Sequence, residues 1–150
     1  MIKIDVFVKD RNWKKYISNP KRHLKSRLKY INNSIQFIKN NKINFSILLA
    51  GSNEIKRLNK KFRKKDKITD VLSFPNYKNL NLKKIKKKDI YLGDLILNFY
   101  KIDKKNFKKE FDKLWIHGFL HLLGYKHYKN NDYYKMRRLE KKILTKIENN

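Results

Sequence analysis

Apolar residues recur along the chain with two different periods, and the shorter period predicts strands. They occupy every second position from Ile2 to Val8 and again from Phe45 to Leu49. The apolar run Val71 to Phe74 ends at Pro75, and a longer apolar segment extends from Ile90 to Phe99. Because proline and flanking polar residues confine these runs to strand length, the sequence predicts four strands.

Apolar residues spaced three and four apart predict helices between and after the strands. Asn19 followed by Pro20 is typical of a helix start, so one helix is expected over residues 20–39. Ser52 is expected to cap a short second helix. A third helix is predicted from about residue 103 to residue 123, and a fourth near the C-terminus. The residues expected on their inner faces are Leu24, Leu28, Ile31, Ile35 and Ile38; Ile55, Leu58 and Phe62; Phe107, Phe111, Leu114 and Trp115; and Met136, Leu139, Ile143 and Ile147.

These elements predict one α+β domain over residues 1–150, with a mixed sheet of about four strands and flanking helices. The length suits a single domain, and we find neither an internal repeat nor a linker. The chain has no cysteine, no apolar run approaching the roughly 18 residues of a membrane span, and no signal-peptide pattern at its start. We therefore expect a cytoplasmic protein that does not enter a membrane.

A large excess of positive charge makes a polyanion the expected partner. The net charge is +27, from 40 Lys and Arg against 13 Asp and Glu, and it is spread along the whole chain. The densest lysine run lies in a predicted loop over residues 76–89, where it is expected to be a solvated surface. Nucleic acid is the obvious polyanion. Lysine, asparagine and isoleucine are all frequent, so an AT-rich genome is an alternative explanation for part of the excess.

Three of the four histidines lie within eleven residues, and their spacing predicts a metal site. His117 and His121 are four residues apart on a predicted helix, so both rings can reach one ion. Gly124 can end that helix in a left-handed conformation and return the chain so that His127 reaches the same ion. Three ligands leave a fourth position open for water, which is the catalytic pattern. The fourth histidine, His23, is isolated among lysines and is given no functional role.

One Zn²⁺ per chain is the predicted ion, although nickel or another ion that imidazole accepts is an alternative. The histidine spacing equals that of the metzincin peptidases, but the residue after the first ligand is Gly118 where those enzymes have a glutamate base. Met136 falls in a helical pattern, not in a turn beneath the metal. Peptide hydrolysis is therefore disfavoured.

Residues 117–127 resemble the signature of the YbeY family of bacterial endoribonucleases, His-Gly-x-Leu-His-Leu-x-Gly-Tyr-Asp-His, and depart from it at Lys126. Two further segments are similar to the family: residues 59–75, which contain Arg63 and the run Thr-Asp-Val-Leu-Ser-Phe, and residues 92–95, Leu-Gly-Asp-Leu. The three segments come in the family's order and span a little under half of the chain.

The resemblance implies a metal-dependent endoribonuclease, a hydrolase specific for single-stranded RNA. It also implies a role in maturing the 3′ end of small-subunit rRNA and in ribosome quality control, with the ribosome as partner. Arg63 matches the family's functional arginine, and a guanidinium can grip a phosphate and stabilise charge that develops on it. The attacking group is either zinc-activated water or the RNA 2′-hydroxyl, because no general base is identifiable.

Two other classes of function stay open at this stage. One is an RNA- or ribosome-binding factor in which the metal only joins the C-terminal helices; the other is a different metallohydrolase, including a metzincin-like peptidase. Asp70 and Asp94 lie beside apolar runs, so each is expected to be hydrogen-bonded, as a turn cap or as a bond that orients a histidine. Lys126 cannot accept the hydrogen bond that an aspartate could accept there.

Overall fold

The computed structural model describes residues 1–78, 85, 89–126 and 129–150. Most of the predicted lysine-rich loop 76–89 lies outside these residues. The elements, in chain order, are β1 (Ile2–Val8), α1 (Trp13–Tyr16), α2 (Pro20–Asn32), α3 (Gln36–Lys39), β2 (Lys42–Ala50), α4 (Ser52–Arg63), β3 (Val71–Pro75), β4 (Asp89–Asn98), a 3-10 turn (Phe99–Lys101), α5 (Phe107–Leu122) and α6 (Asn130–Glu148).

The four strands form one mixed sheet in the order β1-β2-β4-β3. β1, β2 and β4 are parallel, and β3 pairs antiparallel with β4 at the edge. The predicted α+β class, the four strands and the mixed sheet are confirmed. The connections between the parallel strands contain helices, as parallel pairing requires.

The prediction of one helix over residues 20–39 is wrong, because the chain leaves the helix after Asn32. The start is as predicted, since the Asn19 side chain accepts a hydrogen bond of 3.0 Å from the Arg22 backbone N–H. At the other end the Ser34 hydroxyl donates to the Tyr30 carbonyl at 2.7 Å, a local bond that competes with helix continuation. Ile35 is extended and still buried, so the apolar spacing persists through the break.

The expectations for the second and third helices also need correction. Gly51, not Ser52, occupies the cap position of α4, and the Ser52 hydroxyl instead accepts a 3.0 Å hydrogen bond from the Asn98 amide. Phe62 is 60% exposed and lies edge-on to Phe74, so it is not on the inner face. The third predicted helix begins at Phe107 and not near 103. Asp103 forms a side-chain turn with the backbone N–H of Lys105.

α5 is the central helix of the core and lies against one face of the sheet. Trp115 and Phe119 on its buried side are fully buried, and Phe119 packs on Phe45 of β2 at 4.8 Å. α2 and α6 contribute to the same cluster, whereas among the described residues α4 covers the opposite face, over a smaller cluster that contains Ile55 and Ile96. The last turns of α5 are therefore held rigidly by apolar packing.

A buried carboxylate also joins α2 to α5. Asp112 is 3% exposed and receives the Trp115 indole N–H at 3.0 Å and the Arg27 Nε–H at 3.1 Å. The His23 ring nitrogen Nε2 lies 2.8 Å from the same carboxylate. His23 is thus not an isolated surface residue, as the sequence suggested, but part of a contact between the two helices.

Candidate metal centre

His117 and His121 project from consecutive turns of α5 and their rings converge. Their Nε2 atoms lie 3.0 Å apart, with the rings nearly perpendicular. Two nitrogens that bind one tetrahedral zinc ion at 2.0–2.1 Å lie about 3.3 Å apart. The spacing of the two residues in sequence therefore produces the ring arrangement that a shared ion requires.

The other ring nitrogen of each histidine faces a hydrogen-bond acceptor. His117 Nδ1 lies 2.7 Å from Oε1 of Glu140 on α6, and His121 Nδ1 lies 2.9 Å from the backbone carbonyl of Tyr125. Because a carbonyl can only accept, His121 carries its proton on Nδ1, and an ionised Glu140 favours the same tautomer for His117. The 3.0 Å approach of the two Nε2 atoms is compatible with one metal ion bound by both. The donor set fits a metal, with the outer bonds that usually orient metal-ligating histidines.

The turn after α5 is the local structure that brings the Tyr125 carbonyl to His121. Gly124 has a φ of 93°, which confirms the predicted left-handed end of the helix. The Gly124 N–H bonds to the His121 carbonyl at 3.0 Å and the Tyr125 N–H bonds to the Leu120 carbonyl at 3.0 Å. This is a Schellman motif. The chain thus turns at Gly124 and Tyr125, next to His121.

The third predicted ligand, His127, lies outside the described residues. Among the residues that are described, no group of three His, Cys, Asp or Glu side chains is close enough to hold a metal ion. The structure accordingly brings together two of the three predicted ligands, and the third stays a prediction.

Arg63 lies beside the two histidines, although it comes from the other side of the sheet. It is the last residue of α4, and with His117 and His121 it lines a cleft of about 340 Å³. Its guanidinium donates a hydrogen bond to the Ser73 carbonyl and lies 5.3 Å from the centre of the Phe74 ring. Edge strand β3 thus orients the arginine towards the cleft.

None of the remaining described residues that line the cleft is acidic. Tyr125 and Lys126 lie at the histidine end, with Val71, Ser73 and Pro75 of β3 opposite. Burial raises the pKa of the Tyr125 hydroxyl, so this group is a neutral hydrogen-bond donor at neutral pH. Lys126, where the family usually has an acid, adds positive charge to a cleft that already contains Arg63. The cleft is therefore suited to an anion.

Gly118 faces the sheet and not the cleft. A Cβ atom there would lie 3.0 Å from Leu95 and 3.2 Å from the Ser73 hydroxyl. The position that holds a catalytic glutamate in metzincins is thus packed against β3 and β4, and Met136 lies within α6. Both observations oppose a metzincin-like site, as the sequence suggested.

The two aspartates have different partners. Asp70 accepts a hydrogen bond of 2.7 Å from the Val71 backbone N–H. It therefore acts as a local cap and, among the described residues, orients no histidine. Asp94 accepts hydrogen bonds from the hydroxyls of Ser46 and Tyr91 on the face of the sheet away from α5. Within the described part of the chain, neither carboxylate bonds to a histidine.

Glu140 is the site residue that sequence reasoning missed. It lies 23 positions after His117, on a different helix, so no local spacing relates the two. The available signal was weak: Glu140 is one of few acids in a basic C-terminal region, and it follows Leu139 of the predicted inner face.

Replacing Glu140 with glutamine is expected to weaken metal binding about tenfold. Glutamine can still accept from His117 but has no charge, so the imidazole becomes a poorer donor to the ion; loss of such outer partners costs about 10–100-fold in affinity. Competition against a chelator measures the change. Glu148→Gln is the matched control, since Glu148 pairs with Lys109 on the same two helices. Equal affinities for the two variants would contradict this role.

Known proteins similar to this chain are named as endoribonucleases. Endoribonuclease YbeY of Pelagibacter ubique is 45% identical over 157 aligned positions, covering 98% of this chain and 99% of the relative. Endoribonuclease YbeY of a Wolbachia strain from Drosophila simulans is 34% identical, covering 96% of this chain and 95% of the relative. The class of protein is thus that of enzymes that cleave RNA internally.

The family model described as Endoribonuclease YbeY matches residues 7–148. The chain belongs to the endoribonuclease YbeY family, as its three segments had indicated. The solution structure of a Thermotoga maritima protein has the same fold, with a TM-score of 0.58 at 23% identity over 99% of this chain and 93% of that one. In the described part of the chain, every helix is too short or too polar to cross a bilayer.

Proposed function

We propose that residues 1–150 form one domain that cleaves internal phosphodiester bonds of single-stranded RNA with the aid of one metal ion. The ion would be Zn²⁺, held by His117, His121 and His127. The observation that carries the proposal is the convergence of the two Nε2 atoms at 3.0 Å in a cleft that also contains Arg63. The family membership of the chain supports the same reaction.

The bound ion would supply Lewis acidity to the phosphodiester and to the attacking oxygen. The chain itself supplies the orientation of the ligands: the Tyr125 carbonyl and Glu140 each hold one histidine by its Nδ1. The ligands are imidazoles and not carboxylates, so they bring no negative charge to the cleft. A polyanionic substrate is attracted by such a site.

Arg63 is the residue proposed to hold the scissile phosphate. One of its terminal nitrogens donates to the Ser73 carbonyl, and this bond fixes the plane of the guanidinium at the rim of the cleft. The remaining N–H groups of a guanidinium suit the bidentate geometry of a phosphate. Charge that develops on the phosphate oxygens would be stabilised there without rearrangement of the arginine.

A preference for single strands is supported by the size of the cleft and by the resemblance to the family. At about 340 Å³ the cleft is at the small end of ligand pockets, which suits an unpaired nucleotide better than a duplex. We further propose that the RNA is the 3′ region of small-subunit rRNA, that the protein acts on the ribosome in the cytoplasm, and that it serves maturation and quality control there. The net charge of +27 agrees with such a partner.

The test is cleavage of a 5′-labelled single-stranded RNA and of its duplex by the zinc-loaded protein. We expect the single strand alone to be cut, and Arg63→Ala to lower kcat/KM about a hundredfold, the factor for loss of one transition-state donor. Arg63→Lys should recover part of the loss. Lys61→Ala is the matched control, since Lys61 is an exposed cation on the same helix that lies over Phe62.

The ends of the products identify the attacking group. A 2′,3′-cyclic phosphate means that the RNA 2′-hydroxyl attacks, whereas a 5′-phosphate with a 3′-hydroxyl means that water attacks. Single-stranded RNA that stays intact after incubation with zinc-loaded protein would refute the proposed function. An Arg63→Ala variant as active as Lys61→Ala would refute the role of Arg63 in it.

A further inference from the structure

A second groove, larger than the histidine cleft, lies between α5 and α6. It has a volume of about 520 Å³, and we call it the α5/α6 groove. His117 lines both this groove and the histidine cleft, so the two adjoin at this side chain of the candidate metal centre.

Cations from both helices line the α5/α6 groove: Lys109, Lys113, Arg137 and Lys141. Two of these cations have carboxylate partners, since Glu148 pairs with Lys109 at 3.3 Å and Glu110 pairs with Lys113 at 3.6 Å, while Glu140 contacts His117. In the described part of the chain no carboxylate pairs with Arg137 or Lys141. Exposed lysine pairs are weak and can exchange a carboxylate for a phosphate. The groove consequently offers a row of positive charge beside the candidate metal centre.

An exposed aromatic ring lies among these cations. Tyr133 is 41% exposed, and Arg137, four residues later on the same face of α6, donates to its hydroxyl at 2.6 Å. The Arg137 guanidinium lies 5.9 Å from the centre of the Tyr133 ring, and the Tyr134 ring lies edge-on to Tyr133 with 5.7 Å between the ring centres. The ring is thus oriented by its neighbours while much of it faces solvent. Cations alternating with oriented aromatic rings are the composition of single-strand-binding surfaces.

We propose that the α5/α6 groove binds the stretch of single-stranded RNA that flanks the cleavage site. Tyr133 stacks on one base, and Arg137 and Lys141 contact the phosphates. This inference rests on the proposed function, because the groove gains this role from sharing His117 with the catalytic cleft. It adds a binding site whose contacts are made to the RNA backbone and to any base, so it increases affinity without reading sequence.

The experiment measures binding of a fluorescent single-stranded RNA of about 12 nucleotides at several salt concentrations. Tyr133→Ala should raise Kd about fivefold or more, while Tyr133→Phe, which keeps the ring, should stay within about twofold of the parent. The double variant Arg137→Gln/Lys141→Gln should make the plot of log binding constant against log salt concentration less steep by about 1.4. Each lost phosphate contact on a single strand accounts for about 0.7 of that slope.

The matched control is the pair Arg22→Gln with Lys25→Gln, which removes the same charge from exposed positions on α2. If the control pair changes affinity and salt slope as much as the groove pair does, general charge explains the binding and the groove proposal is wrong. It is equally wrong if Tyr133→Ala binds like the parent. All these positions are exposed, and circular dichroism verifies that each variant is folded.

Binding and cleavage separate this inference from the proposed function. Tyr133→Ala should lower kcat/KM for the 12-nucleotide RNA but leave cleavage of a trinucleotide, too short to occupy the groove, unchanged. If no RNA is cut while affinity still depends on Tyr133, the proposed function fails and the groove stands. If the protein cuts RNA and Tyr133→Ala changes cleavage of the 12-nucleotide RNA and of the trinucleotide equally, the groove proposal is refuted and the proposed function survives.

Discussion

Replacing His121 by alanine is expected to remove the metal ion and to lower RNA cleavage by about a thousandfold, while the chain stays folded. Without His121, only one of the two converging Nε2 atoms on α5 remains to bind the ion. Loss of the Lewis acid then removes several kcal/mol of stabilisation from the transition state. The last turn of α5 should persist, because the Schellman bonds of Gly124 and Tyr125 involve backbone groups only. His121 is also only partly buried, so its removal leaves no large cavity.

Metal content per chain, cleavage rate and thermal midpoint of the same preparations measure this effect. The parent should contain about one ion per chain, and a chelator should inactivate it. His23→Ala is the matched control, because it removes a histidine that contacts Asp112 and not the candidate centre, so it should retain the ion. A His121→Ala protein that keeps one ion per chain would disprove the site. A variant that loses the ion and unfolds would instead favour a structural metal in an RNA-binding factor.

Gly93→Ala is expected to destabilise the fold by more than about 4 kcal/mol, the range of severe single substitutions. Gly93 has a φ of 135°, which side chains rarely tolerate, and a Cβ atom there would lie 2.1 Å from the Phe74 carbonyl oxygen. That neighbour is backbone of the paired strand, so no side-chain rotation relieves the clash. The β3–β4 pairing must open to accept the methyl group.

Urea unfolding of the parent and two variants tests this expectation. Gly51→Ala is the matched control: its φ is −119°, and the nearest atom to an added Cβ belongs to the Asp10 side chain, which can move. We expect that control to stay within about 1 kcal/mol of the parent. Because β3 also provides the carbonyl that orients Arg63, surviving Gly93→Ala protein should cleave RNA more slowly. Equal stability of the two glycine variants would contradict the β3–β4 geometry.

Local signals in the sequence predicted a large part of the fold. Alternation from Ile2 to Val8 corresponds to β1, and the Asn19-Pro20 pair corresponds to the start of α2, because strand faces and helix caps depend on neighbouring residues. The single helix over residues 20–39 was wrong for a local reason as well. Apolar spacing shows which side is buried but not whether the backbone is continuous, and a serine hydroxyl ended the helix.

Contacts between residues far apart in the sequence explain the other predictions that were wrong. Phe62 has the spacing of an inner-face residue on α4, yet it is 60% exposed and lies edge-on to Phe74 of β3. His23 is flanked by basic residues in sequence, yet it meets Asp112 of α5, 89 positions away. In both cases the environment of the side chain depends on where another element packs, which periodicity does not encode.

For the histidine pair, the sequence and the tertiary structure determine different contacts. The sequence by itself determined that His117 and His121 share a helix face and that Gly124 ends the helix, because each relation spans four residues or fewer. Only the tertiary structure decided that Glu140 holds His117, that β3 directs Arg63 into the same cleft, and that the α5/α6 groove shares His117 with it. Those relations depend on how α4, α5 and α6 pack around the sheet. The physical reason is that backbone geometry relates residues within a turn, whereas burial of the common core and polar contacts between distant residues bring separate helices together.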